Sequence, residues 1–466
     1  MSGGPLWELS AVEQRRLLGA GEVSVVEVVT AHLERIEEVN PSLNAIVTLV
    51  PERALAEAAR ADDAKVRGEA PGPLHGLPIA IKDLVDTAGI RTTYGSPIYR
   101  DHVPAEDAPL VRRLRAAGAI VVGKTNTPEF GAGSQTFNPV FGVTRNPYDL
   151  TLTPGGSSGG AAAAVATGML PLADGSDLGG SLRNPASFCN VVGLRPTPGR
   201  VPDAERDDLW DPLSVSGPIA RTVADAALLL GALAVPDPAV PLALPEWVAP
   251  DLDGDPGDLR IAWSRDLGGL PVDPAVTAAL DGVRPALERV AHVEDAEPDL
   301  AGADEVFHVL RALGFARGLA AEVRAHPDLV KETVVWNVRE GLALDGERIA
   351  RAQAARTEIF RRMTAFLLEY DALALPASLV PPFPVEVEWI EEIAGVRLDS
   401  YLDWMRACTR ISVTAHPAIS VPVAFTPAGL PVGLQLVGRY GDEAGLLRLA
   451  AAVEAAAGAS TRRPAL

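Results

Sequence analysis

Lys82 ends the apolar run of IAIKDL, a pair of serines sits among glycines in TPGGSSGG, and Ser181 closes the LGGS of DGSDLGGSLRNP. These residue types can move protons and attack a carbonyl. An amine held among apolar side chains has its charged form disfavoured, so it can accept a proton near neutral pH. Taken alone, Lys82 also fits a lysine whose charge snorkels to water from the end of a strand. The loop around Ser157 runs into an alanine-rich stretch, and helix N-termini bind anions through free N–H groups. A P-loop, however, needs Lys and Ser/Thr directly after its glycines, and GxGxxG is absent too. A plain Gly-Ser linker remains open for this loop. Gly179 and Gly180 lack side chains that would keep a carbonyl from the backbone, and consecutive N–H groups can then point at one oxygen. An oxyanion hole requires that, and one donor in it is worth about 3 kcal/mol of transition-state stabilisation. A tight turn would use the same residues.

Ser181 follows Ser157 by 24 positions (181 − 157). A histidine-dependent hydrolase is the competing reading. Its G-x-S-x-G elbow would need glycine two residues either side of the serine, and Ser181 has Gly179 before it but Arg183 after. His32, His75, His102, His292, His308, His326 and His416 form neither HExxH nor an H-x-E zinc pattern. Asp83, Asp177 and Arg183 flank the candidate residues and are read as braces for their loops. Cys189, eight residues after Ser181, is read as small apolar packing.

The elements that must position these groups follow from periodicity. VEVVTAHLERIEEVN and ERALAEAARADDAKVRG carry apolar residues at helical spacing and predict amphipathic helices. GLPIAIKDLVD reads as a buried strand; APLVRRLRAAGA, a turn at Gly118 and IVVGKTN then read as helix, turn and second strand, the rhythm of an α/β sheet. Residues 131–160 predict a long functional loop feeding a tightly packed helix at AAAAVATG. Residues 235–257 predict a Pro- and Asp-rich surface connection. LRIAWS predicts a strand, helical patterns dominate from about 275 to 370, and DALALPAS and AISVPVAFTP predict strands again.

Bulk properties narrow the class. A chain of 466 residues, 47% hydrophobic and 22% charged, can bury a substantial core. The formal net charge of -20, with no basic run, makes nucleic acid and anionic membrane poor partners. Two cysteines are no disulfide framework and favour a reducing compartment. The start carries no secretory pattern and no run of about 18 apolar residues occurs, so the expected location is the cytoplasm.

Several ordered blocks then matter together. GLPIAIKDLVD, GKTNTPEFG, TRNPYDLTLTPGGSSGGAAAAVATG, DGSDLGGSLRNPASFCNVVGLRPTPGRV and GPIARTVADAALLL resemble the consecutive blocks of the amidase signature family. NPSLNAIVT and AISVPVAFTPAGLPVGLQLVGR resemble its flanks, so the likeness spans nearly the whole chain. The resemblance implies an α/β fold with a twisted mixed central sheet covered by helices on both faces. It implies one amidase domain over residues 1–466, with N-terminal helices in 1–70, a catalytic core in 72–200 and a pocket-forming C-terminal part in 201–466.

For the site, the resemblance implies a Ser-Ser-Lys triad: Lys82 as base, Ser157 as proton bridge following a cis peptide bond, and Ser181 as nucleophile. Oxyanion donors fall on the backbone of Leu178, Gly179, Gly180 and Ser181, and ligand contacts on Gly131 and Ser157. Proton bookkeeping through an acyl-enzyme leaves no task for a metal or organic cofactor. The expected reaction is hydrolysis of small neutral or aryl amides, with esters and carbamates (urethanes) within reach of the same chemistry. Phe137, Phe141 and Trp210 are candidate aromatic pocket walls. The alternative is the glutaminase subunit of a tRNA-dependent amidotransferase, which works with a partner chain; TPEF after GKTN resembles stand-alone amidases, where the partner-dependent subunits usually read MDEF. The expected partners are a small-molecule substrate and, through the N-terminal helices, a second copy of the chain.

Overall fold

A computed structural model describes residues 4–252 and 257–466. Residues 1–3 of the predicted non-secretory start and 253–256 of the predicted connection lie outside the described residues. The N-terminal helices form where periodicity predicts them, over Val25–Leu43 and Pro51–Val66. Ser24 caps the first with a reciprocal bond pair to Glu27, and Pro51 opens the second at a position where a missing N–H costs nothing.

Two sheets carry the structure. In the smaller, strand Ile120–Thr125 lies between Ile46–Leu49, antiparallel, and Pro78–Lys82, parallel. Helix Pro109–Ala116 supplies the crossover between the parallel pair. The larger sheet has eight strands in the spatial order 292–295, 260–263, 372–376, 431–437, 418–425, 192–195, 215–220 and 172–177. The pairings of 260–263 with its two neighbours are parallel and the others antiparallel, so the sheet is mixed. Strand 78–82 packs against strand 172–177, which joins the small sheet to the edge of the large one.

Alternation along the strands divides the large sheet's core in two. Leu373 and Leu375 face one hydrophobic cluster with Ile359 and Met363 of helix Gly346–Glu369. Ala372 and Ala374 face the other, with Leu446 and Leu447 of helix Glu443–Ala457. Helices therefore cover both faces, as the resemblance implies. The predicted helical stretch from 275 to 370 is interrupted by an edge strand, His292–Asp295, paired in parallel with Arg260–Trp263. Its largely polar residues show no apolar period, which hides it in the sequence. Among the described residues, no helix is long and apolar enough to cross a membrane.

Candidate active site

The seam between the sheets gathers the chemistry. Lys82 is the last residue of its strand and is fully buried, so its charge does not reach water. Its Nζ lies 2.7 Å from Ser157 Oγ, 2.9 Å from Ser158 Oγ and 3.0 Å from Ser176 Oγ. An ammonium can donate to all three hydroxyls; the neutral amine donates to two and accepts from the third. Burial pushes the Lys82 ammonium down to about 7, against the opposing pull of the Asp174 and Asp177 carboxylates.

The glycine loop brings Ser157 to that amine. The Gly156–Ser157 peptide bond is cis. Ser134 Oγ donates to the Gly156 carbonyl at 2.6 Å, and Thr136 Oγ1 to that of Gly155 at 2.8 Å. A side chain at Gly156 would stand 2.9 Å from the Gln135 nitrogen, so the loop's close packing requires glycine there. The next helix, Gly159–Ala166, is buried along its whole length; a Cβ on Gly160 would stand 2.4 Å from Asn126 N, an approach only glycine permits. Gly131 has φ +69°, and Ser157 Oγ lies 3.7 Å from where its Cβ would be, which puts the Gly131 backbone beside Ser157.

Ser181 is half-buried, and its carbonyl accepts the Ser158 N–H at 3.2 Å. This ties the turn 178–181 to the residue next to Ser157. Asp177 organises that turn: its Oδ1 accepts the Gly180 N–H at 2.8 Å and its Oδ2 accepts the Leu182 N–H at 3.1 Å. The Gly180 N–H is thus engaged by Asp177, whereas those of Leu178, Gly179 and Ser181 meet no acceptor among the described residues. A Cβ on Gly179 would stand 2.7 Å from Phe307 Cζ, so Gly179 fits close under that ring.

Behind the turn lies a buried ion network. Arg183 donates to Asp177 through Nε at 3.0 Å and Nη2 at 2.9 Å, and also reaches Gln435 Oε1 at 2.6 Å and Ser412 Oγ at 2.8 Å. Burial opposes the Asp177 charge, but the Arg183 and Arg195 guanidiniums and the Gly180 N–H together outweigh it and hold the carboxyl well below the usual carboxylate range. Asp83 accepts from Thr93 Oγ1 at 2.5 Å. Asp83 is thus tied to Thr93, and Asp177 and Arg183 tie the turn to segments 408–412 and 431–437.

Other predicted residues sit elsewhere. Cys189 and Cys408 are free and buried, and burial raises both thiols. Phe137 lies under the Lys331 amine, 4.4 Å from its ring centre, beside a small cavity that Trp389, Tyr401 and Trp404 also line. The Arg91 guanidinium covers Phe141 at 4.9 Å, and Trp210 is 69% exposed, so neither joins that aromatic group. A cavity of about 410 Å³, lined by Val12, Arg16 and His75, lies away from the triad candidates.

Sequence reasoning missed Ser158 and Ser176 as partners of the amine, and Asp174, whose Oδ1 accepts the Lys82 N–H at 2.9 Å. The doubled serine of TPGGSSGG and the DGSD run were visible signals for these.

A buried lysine among three hydroxyls, with a glycine turn whose N–H groups at Leu178, Gly179 and Ser181 meet no acceptor among the described residues, is suited to hydrolysis without histidine at its centre. The family model for Amidase matches residues 27–447, and the chain belongs to the amidase family, as an amidase-signature hydrolase. It is 38% identical to the acylamidase of Rhodococcus erythropolis, covering 98% of this chain and 97% of that one. It is also 38% identical to a glutamyl-tRNA(Gln) amidotransferase subunit of Chloroflexus aggregans, covering 96% of each. A crystal structure of a bacterial aryl acylamidase of the amidase signature family superposes with TM-score 0.91 at 27% identity, covering 98% of each chain.

Proposed function

We propose that this chain hydrolyses small neutral or aryl amides, and by the same chemistry esters and carbamates, through a Ser181 acyl-enzyme. The 2.7 Å approach of Lys82 Nζ to Ser157 Oγ carries this reading. Neutral Lys82 takes the Ser157 proton, Ser157 takes the Ser181 proton, and the Ser181 oxygen attacks the carbonyl carbon. The resulting oxyanion is met by backbone N–H groups of the turn; those of Leu178, Gly179 and Ser181 are the available donors, since Asp177 holds Gly180. Collapse breaks the C–N bond, and the proton stored on Lys82 returns through Ser157 to the departing amine. Water then enters by the same relay and releases the acid. Gly131, beside Ser157, is the proposed further backbone contact to substrate.

The likeness to a bacterial aryl acylamidase supports substrates with aromatic groups. The 38% identity to an amidotransferase subunit favours a second reading, glutaminase activity with a partner chain. Initial rates on a nitroanilide, an aryl carbamate and glutamine separate the two. Faster turnover of the aryl substrates by the chain alone supports the first; preference for glutamine, above all in the presence of a partner chain, supports the second.

A further inference from the structure

The seam between the sheets is closed by a side chain. Where strand 78–82 lies against strand 172–177, the Lys82 backbone N–H is satisfied by Asp174 Oδ1 at 2.9 Å. Asp174 is fully buried, and among the described residues its second oxygen, Oδ2, has no hydrogen-bond partner. A carboxyl oxygen kept dry and unpaired costs stability, which an uncharged acceptor at this position would avoid. Its retention here has an electrostatic consequence.

The charged groups around it can be named element by element. Lys82 approaches from one strand of the small sheet and Lys124, also fully buried, from the next. Lys124 gives its protons to the Val85 carbonyl, to Thr87 Oγ1 at 2.9 Å and to Thr92 Oγ1 at 3.0 Å, and it also faces Asp83, Asp86 and Asp107. Asp177, the other anion acting on Lys82, is committed to Arg183 and Arg195. Asp83 is committed to Thr93. Asp174, like Asp83, forms no ion pair with a cation, and of the two carboxylates that act on Lys82 it is the one that most favours the Lys82 ammonium.

We propose that Asp174 is a positioning residue for the reaction, whose buried carboxylate, bonded to the Lys82 backbone, sets the pH at which the Lys82 amine becomes available as base. The inference rests on the reading of Lys82 as that base. When Lys82 takes the proton of Ser157 it becomes an ammonium, and the nearby anion stabilises this charge while the oxyanion exists on the substrate. The same anion holds the proton on Lys82 in the free enzyme until the pH rises far enough. Burial pushes the Asp174 carboxyl itself up to about 6, below the value of about 7 for Lys82, so its charge is mostly present above pH 6, where Lys82 loses its proton.

The test is the pH profile of kcat/KM for an aryl amide, measured between about pH 5 and 9 on the wild-type chain, on Asp174→Asn and on Lys82→Ala. Asp174→Asn keeps an acceptor for the Lys82 N–H and removes the charge. Its rising limb should move to lower pH by roughly one unit, the size of shift one nearby opposite charge imparts. A purely structural role would lower the profile without moving the limb. Should the Asn variant fail to fold, Asp174→Ser drops the same charge from a smaller side chain and gives the same comparison. A limb that stays in place or moves up in a folded variant overturns the role of Asp174 and leaves Lys82 as base. A wild-type limb that survives Lys82→Ala instead overturns the base assignment and this inference with it.

Discussion

The amine of Lys82 and the hydroxyl of Ser157 stand 2.7 Å apart, brought together from positions 75 residues distant in the chain. One comes from a strand end, the other from the glycine loop held by Ser134 and Thr136. Because burial lowers Lys82 to about 7, the amine is neutral above that pH and protonated below it. A base must be neutral to act, so kcat/KM rises through about pH 7 and then levels. Lys82→Arg, which cannot release its proton in this range, should flatten the limb and lower the rate by roughly 10²–10⁴. A pH–rate series on both proteins checks this.

Ser157→Ala removes the hydroxyl that passes protons between Lys82 and Ser181. Its kcat should fall by roughly 10²–10⁴ with a smaller change in KM. Ser158→Ala and Ser176→Ala each take one further partner from Lys82 and should cost only about tenfold, the worth of about one hydrogen bond. Steady-state kinetics on the three variants orders them.

Arg183→Ala leaves Asp177 buried with its closest cation gone. Breaking such a pair costs about 3–5 kcal/mol, read as a lower urea midpoint at neutral pH. The Asp177 carboxyl is held below its unfolded value, so its contribution is present above the ordinary carboxylate range and is lost as pH falls through the folded value. The difference between wild type and variant should therefore narrow in acid.

Gly180 has φ +117°, and a Cβ there would stand 2.7 Å from both Asn184 Nδ2 and Cys408 Cβ. Gly180→Ala should lower stability by roughly 1–3 kcal/mol and displace the N–H groups on either side, so kcat falls together with the thermal midpoint. Thermal unfolding and kinetics on one preparation test both.

Much of the site was legible because its pieces sit in compact runs: the strand that ends at Lys82, the glycines around Ser157, and the LGGS turn. The helices at 25–43 and 51–66 were legible from their apolar spacing. Contacts across the seam were not. Asp174 and Lys82 lie 92 positions apart, and nothing local shows that a carboxylate will replace a backbone acceptor between two sheets. Ser158 and Ser176 meet at the same amine from two different segments. The Gly180 N–H looked available because the turn of Asp177 back onto it is a tertiary detail. Trp210 lay close in sequence to the signature blocks yet stands in solvent.

Intact-mass and peptide-mass analysis after reaction with an aryl carbamate reads out whether Ser181 carries the acyl group. A carbamoyl group leaves slowly, so one adduct per chain should accumulate on the peptide containing Ser181 and vanish in Ser181→Ala, which should also lose turnover while remaining folded. An adduct on another residue, or full turnover in a folded Ser181→Ala protein, would show that Ser181 is not the nucleophile.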